Sequence, residues 1–440
     1  MSDGTGTGTA EETSVGSVFI SNYPPYSAWS QNGLPDIQAA LGRPPLPGAT
    51  LGLYLHIPFC RQRCKFCYFK VYTEMDSAQV RTYLNALGRE VELAAASPAI
   101  AGRPLKFVYF GGGTPSFISA RDLNALVARV KRVMPWKGAE EITFECEPGT
   151  LTQAKLEAIR AIGVTRLSLG VESFDDAILK ENGRAHLSAE ILRVIPWIRA
   201  LAFDQLNIDL IAGMVGESWD SWRATVARTL ELDPDSVTVY QMELPFNTVY
   251  SQDLLGNKRA TPVADWKLKR AWNEYAIDVL QAAGYEVSSA YTMVKRGTGG
   301  RFVYRDAVWH GSDMVGTGVA SFGHVSGVHY QNAPEWGDYV ARIQSGHLPI
   351  SRALETSPSQ RLVREMILQL KLGRMSAAYF RDKFGVEILE RFAAPFNKLR
   401  DEGMLDFSGD RIELSRRGLL RVDFLLPEFY DAEYRNARYT

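Results

Sequence analysis

The chain has 440 residues, long enough for two or three domains or for one large α/β barrel with an appendage. With 49 basic against 50 acidic side chains and 46% hydrophobic residues, it has neither the basic surplus of a nucleic-acid binder nor the composition of a disordered chain. The longest apolar runs, 51–57 and 206–214, are strand-length and far too short to span a bilayer.

The first residues, MSDGTGTGTAEETSVGS, lack a basic segment followed by an apolar stretch, so they read as neither a secretory signal nor a transit peptide. There are 4 cysteines, three of them close together at 60, 64 and 67, which argues against a disulfide framework and for a reducing, cytoplasmic setting. Residues 1–20 read as a disordered acidic tail, and the Pro-rich, aromatic stretch 21–50 as an extended arm lying over the body. From 51 to 290 strands and helices alternate. Strands are expected at 52–57, 106–110, 141–146, 164–169, 205–210 and 236–241, and helices at 77–96, 120–134, 152–162, 189–200, 218–230 and 264–283. Six such units predict a parallel sheet wrapped by helices, a partial (β/α)6 barrel. Residues 291–355 form a less regular region rich in aromatics and glycine. Residues 356–440 read as three small helices and a hairpin, a winged-helix-like α+β domain.

In barrels of this class the chemistry sits at the C-terminal strand ends. Here those ends lead into Cys60, Gly111-Gly112-Gly113-Thr114-Pro115, Glu145-Cys146-Glu147-Pro148, Gly170-Val171-Glu172-Ser173, Asp209 and Gln241. The spacing Cys60-x3-Cys64-x2-Cys67 places three thiolates in one loop after a strand, suited to a cubane iron–sulfur cluster with one iron left open. A zinc site completed by His56 or Cys146 is the competing reading, though no second pair of cysteines exists to build it. Cys146 reads as a structural thiol, and the histidines at 186, 310, 324, 329 and 347 lack metal-ligand spacing.

Several motifs, in order, resemble the oxygen-independent coproporphyrinogen III oxidase-like branch of the radical S-adenosylmethionine superfamily. They are Tyr54-Leu55-His56-Ile57-Pro58-Phe59-Cys60, the cysteine loop with Phe66 before Cys67, Phe110-Gly111-Gly112-Gly113-Thr114-Pro115-Ser116, Gly170-Val171-Glu172-Ser173-Phe174 and Asn207-Ile208-Asp209-Leu210. The resemblance implies a 4Fe-4S cluster on Cys60, Cys64 and Cys67 that binds S-adenosylmethionine and generates a 5′-deoxyadenosyl radical. It further implies that Gly111, Gly112, Gly113 and Thr114 approach the methionine amino group and that Arg184 holds the methionine carboxylate. Glu145, Glu172 and Asp209 would serve the ribose or the sulfonium, and Tyr54 and Phe66 would pack beside the cluster. Position 172 is glutamate where many relatives carry glutamine.

Within that branch the oxidases have a fourth cysteine where this chain has Phe69, and the haem chaperones a His-Asn pair where it has Tyr304-Arg305-Asp306-Ala307-Val308-Trp309. The run Gly316-Thr317-Gly318-Val319-Ala320-Ser321 resembles a second glycine-rich cofactor segment. The favoured expectation is therefore class C-type methyl or one-carbon transfer with a second S-adenosylmethionine. Oxidative decarboxylation and haem carriage are the alternatives. The expected substrate is unsaturated or aromatic, flat and conjugated, to suit Phe302, Tyr304, Trp309, Tyr330 and Trp336, and the expected electron donor is a flavodoxin or ferredoxin.

Overall fold

The computed structural model describes residues 12–256, 263–435 and 437. Six parallel strands make the centre: β1 (Leu51–Ile57), β2 (Leu105–Gly112), β3 (Glu141–Cys146), β4 (Arg166–Glu172), β5 (Gln205–Ala212) and β6 (Ser236–Gln241), paired in chain order. Each connection carries a helix, as parallel neighbours require. Several of these helices start at side chains that cap their first amides: Asp76, Ser119, Thr152, Ser218 and Asp265.

The strands alternate strictly. Leu53, Leu55, Val108, Phe110, Phe144, Leu167, Leu169, Ile208 and Val237 point to the helices and are buried in the main core. The opposite face carries Tyr54, Tyr109, Glu145, Ser168, Asn207, Asp209 and Thr238, matched side by side through the register. A polar layer lining the inside of a barrel marks a candidate site. Gly52 is required there, because the Phe107 ring occupies the space where its Cβ would stand, 1.9 Å away.

Two expectations need correction. The region 291–355, read as irregular, extends the sheet on both sides: together with β7 (Tyr285–Val287) just before it, β8 (Thr292–Lys295) joins at β6, while β9 (Asp313–Thr317) lies parallel to β1 and leads to antiparallel β10 (Phe322–Val325), β11 (Val328–Asn332) and β12 (Ile350–Glu355). The 12-stranded sheet thus leaves β1 in its interior. These short strands lack clean alternation because both faces are covered, which hid them in the sequence.

The tail is the second correction. Residues 1–11 lie outside the described ones, but from Thr13 the chain is pinned to the body. Glu243 accepts from Ser17 Oγ and from the amides of Val18 and Phe19, and Ile20 is buried. Arm residues Ile20 and Tyr23 join a second core with the helix Pro358–Leu370 and the C-terminal domain. That domain holds the helices Ala377–Phe384, Ile388–Arg391 and Ala393–Asp401, and a three-stranded sheet of β13 (Arg374–Ser376), β15 (Arg411–Leu414) and β14 (Leu405–Ser408) in that order.

Candidate active site at the carboxyl ends of the strands

Cys60 follows β1 directly, and its amide donates to Tyr72 O at 3.1 Å, which closes the cysteine loop at its base. Within the loop the Cys67 amide donates to Cys64 O at 3.1 Å. The segments after β4 and β6 hold the loop from outside: Arg63 Nη2 reaches Asn247 O as well as Cys67 O within the loop, and the Lys65 amide donates to Asn182 O. Burial pushes the Cys60 thiol up to about 11 and the Cys67 thiol up to about 12, so both are protonated until a metal displaces the protons.

The donor set fits a cubane better than a single ion. Among the described residues no three His, Cys, Asp or Glu side chains gather as ligands of one ion, which a structural zinc requires, whereas a cubane takes each thiolate on a different iron. Cys146, buried on β3 with its thiol 3.9 Å from Phe144 O, stands apart as a structural thiol.

Beside the thiols lies the glycine segment. Gly112 has φ +117, and a Cβ on it would meet the His56 ring at 2.7 Å, while one on Gly113 would meet Cys60 Sγ at 2.9 Å. Only glycine allows the backbone this close to His56 and Cys60. Thr114 Oγ1 donates to Cys60 Sγ at 3.4 Å.

Arg184 is no surface charge. Its Nη2 donates to Gly170 O at 2.7 Å, its Nη1 sits 3.4 Å from Cys64 Sγ, and Glu172 Oε1 is 3.5 Å away. Glu172 itself has φ +65 at a bulge in β4, a strained conformation for a non-glycine residue. Glu145 accepts from Tyr109 OH at 2.6 Å and the Gly112 amide at 3.2 Å, and Asp209 from Ser168 and Asn207 at 2.8 Å each. Burial, reinforced by their mutual proximity, raises Glu145 and Glu172 to about 7 and lifts Asp209 as well. A sulfonium or ammonium cation entering this cleft would relieve that repulsion. Tyr54 stacks on Tyr109 at 5.6 Å between centroids, lining the inner wall. Phe66, next to Cys67, packs against Val215, Met242, Leu244 and Tyr250 and so anchors the loop.

The sequence reading missed two groups. One is the bridge Arg61–Glu147–His186: Arg61 Nη2 lies 3.1 Å from Glu147 Oε1, and His186 contacts that oxygen through Nδ1 at 3.0 Å and Val171 O through Nε2 at 3.2 Å. Burial opposes ionisation of Glu147, but His186, Arg61 and Arg184 hold its carboxyl down to about 2. The bridge ties the cysteine loop to the segment carrying Arg184. Glu147-Pro148 at a strand end was its only signal. The other group is aromatic: Tyr68, Phe69 and Tyr240 keep 40%, 40% and 42% of their surface accessible, while Tyr304, already expected to suit a flat substrate, packs at a tilt on Tyr109 at 4.3 Å. Burial and the nearby carboxylates Asp209 and Glu145 push Tyr240 well above its ordinary value.

The second glycine-rich run is spent on the fold. The Gly316 amide donates to Tyr330 OH, that of Gly318 to Glu90 Oε2 and that of Val319 to Tyr83 OH, which leaves those amides nothing to offer a ligand.

Residues 54–228 match the family model of the radical SAM superfamily, and residues 356–421 match that of the HemN C-terminal domain. The chain belongs to the radical SAM superfamily. Its relatives in this superfamily include the Heme chaperone HemW of Mycobacterium tuberculosis, 29% identical over 87% of this chain and 95% of that protein. The oxygen-independent coproporphyrinogen III oxidase of Paracoccus denitrificans is 27% identical over 94% of this chain and 95% of its own. The crystal structure of coproporphyrinogen III oxidase (HemN) from Escherichia coli superposes with a TM-score of 0.81, covering 93% of this chain and 96% of that one at 23% identity, and so shares the fold. This radical SAM protein is of the HemN/HemW type. The methyl-transfer expectation gains no support from these relatives, and the engaged amides of 316–319 remove the segment on which it leaned.

Proposed function

We propose that the chain is a radical SAM enzyme that abstracts a hydrogen atom from a tetrapyrrole-class substrate, in the manner of an oxidase rather than a methyltransferase. The observation that carries this reading is Arg184, a buried guanidinium held between Cys64 Sγ and Glu172, where it can receive a carboxylate beside an open iron. Cys60, Cys64 and Cys67 would hold the 4Fe-4S cluster, and Gly111–Gly113, Thr114, Glu145, Glu172 and Asp209 one S-adenosylmethionine. Bound there, the pair supplies a 5′-deoxyadenosyl radical, with the electron drawn from a flavodoxin- or ferredoxin-type donor.

The protein's own part is placement. Arg184 fixes the carboxylate end of the cofactor, and the acidic layer favours its cationic centre. Tyr68, Phe69, Tyr240 and Tyr304 offer flat apolar faces to a conjugated macrocycle, the class on which the named relatives act or which they carry. Phe69 in place of a fourth cysteine removes no cluster ligand, since three thiolates suffice for a cubane with an open iron; its ring instead packs on Tyr68 at 4.5 Å.

The test is anaerobic reconstitution followed by dithionite and S-adenosylmethionine, with 5′-deoxyadenosine measured with and without coproporphyrinogen III, and haem titrated separately. Substrate-stimulated cleavage supports the proposal. Haem uptake without cleavage would make the chain a carrier, and S-adenosylhomocysteine as a co-product would restore methyl transfer.

A further inference from the structure

A second cavity, of about 600 Å³, opens at the opposite end of the barrel, between the amino ends of the strands and the C-terminal domain. Its walls include Thr50 before β1, Lys106 on β2, Glu140 before β3 and Asp313 on β9, whereas the cysteines follow the far end of β1. The length of a seven-residue strand, roughly 20 Å, separates the two. The helix Val303–Trp309 closes the barrel between them, with Tyr304 packed against Tyr109 of the inner wall and Asp306 and Ala307 lining the cavity.

Most charges around this cavity are matched. Lys106 pairs with Glu140 at 3.0 Å, Arg103 with Asp313 at 2.8 Å and Lys383 with Glu365 at 2.8 Å. Arg364 and Arg361 are the exceptions. Arg364 is 3% exposed, and its Nε donates to Asn22 Oδ1 at 2.6 Å and its Nη1 to Val308 O at 3.4 Å, leaving Nη2 without an acceptor among the described residues. Arg361 donates to Thr356 O and forms no ion pair within the described residues. Glu365 attracts both from a distance, but a buried guanidinium that no carboxylate contacts is costly unless something completes it.

His324 completes the chemistry. His329 Nε2 lies 3.0 Å from Tyr23 O, a carbonyl that can only accept, so the proton sits on Nε2 and Nδ1 is the acceptor. His324 Nδ1, 2.8 Å from that Nδ1, must then be the donor, which leaves His324 Nε2 as a lone acceptor on a residue that lines the cavity. Burial and the neighbouring Arg364 keep both rings neutral.

We infer that this cavity is a second ligand site, distinct from the cluster cleft, for a small organic anion that also carries a hydroxyl or amine hydrogen. The anion would sit on Arg364 Nη2 and Arg361, and the hydrogen would be given to His324 Nε2. A metal cation is disfavoured by the two unmatched guanidinium groups. A planar fork accepts carboxylate or phosphate equally, and the volume suits a metabolite-sized molecule.

The experiment uses the reconstituted full chain and two probes, citrate for the carboxylate arm and glycerol 3-phosphate for the phosphate arm, by calorimetry and thermal melting. Binding of either probe, weakened about tenfold or more in Arg364→Gln and measurably in Arg361→Gln, is expected. The cluster spectrum and the S-adenosylmethionine affinity should not change. Where Arg364→Gln fails to fold, the half-exposed Arg361→Gln carries the comparison. Failure of both probes to bind below about 10 mM, or binding that both variants retain in full, would overturn the inference. Neither outcome bears on the cluster chemistry.

Discussion

Replacing Arg184 by Gln tests the cofactor geometry most directly. At 3.5 Å from Glu172 the guanidinium gains about 4 to 5 kcal/mol of Coulomb attraction at an effective dielectric of 20, most of it offset by the desolvation of both groups. That pair therefore says little about stability, and Glu172, raised already to about 7, can take up a proton when its partner is lost. The cost falls on the ligand. A charge-assisted hydrogen bond from guanidinium to carboxylate contributes about 1.5 to 3 kcal/mol, so S-adenosylmethionine affinity should drop about ten- to 150-fold. Arg184→Lys, which keeps the charge and loses the fork, should fall between. Equilibrium binding of S-adenosylmethionine to reconstituted protein, with iron content measured on the same samples, is the assay. Unchanged affinity at normal iron content would refute the role given to Arg184, and loss of iron would show that it supports the cluster loop instead.

Four more outcomes are expected. Cys60→Ala, Cys64→Ala or Cys67→Ala should each lose most cluster iron and visible absorption, whereas Cys146→Ala should keep both; iron and sulfide assays decide it. Gly113→Ala, whose new Cβ would stand 2.9 Å from Cys60 Sγ and 3.0 Å from Phe59 O, should release iron to a chelator several-fold faster without unfolding the chain. Glu145 and Glu172 bind protons more tightly in the folded protein, at about 7 against 4.5, so their contribution to stability is full below 4.5 and is lost as pH rises through 7. Urea melts of the apo-protein at pH 5.5 and 8 should show that decline, flattened in Glu172→Gln, while S-adenosylmethionine binds more tightly across the same rise. Tyr240→Ala should raise KM for the tetrapyrrole with little effect on substrate-free cofactor cleavage, as steady-state kinetics would show.

The six central strands were legible because their outward faces repeat large aliphatics with period two, and the site because glycine and carboxylate runs stand at strand ends. Strand β4 runs three residues beyond the expected end at 169, since Gly170-Val171-Glu172 reads as a loop but continues the ladder through a bulge. Arg184 could be placed only by resemblance: an arginine after a helix carries no local sign that it folds back 14 residues to Gly170 O. The His324–His329 pair was invisible for the same reason, because its partners, Tyr23 and Asn22, lie more than 300 positions away. Residues 316–321 misled in the opposite direction, since a glycine run looks alike whether its amides serve a ligand or Glu90.

Strand β1, from which the cysteine loop springs, is flanked by β2 on one side and β9 on the other, deep within a sheet whose hydrogen bonds owe nothing to iron. With a cluster held by Cys60, Cys64 and Cys67, air or a chelator should therefore strip the metal and leave the scaffold standing. Damage should stay confined to the short stretch between the end of β1 and Tyr72, so that iron and sulfide returned under nitrogen refill a waiting socket with no refolding step.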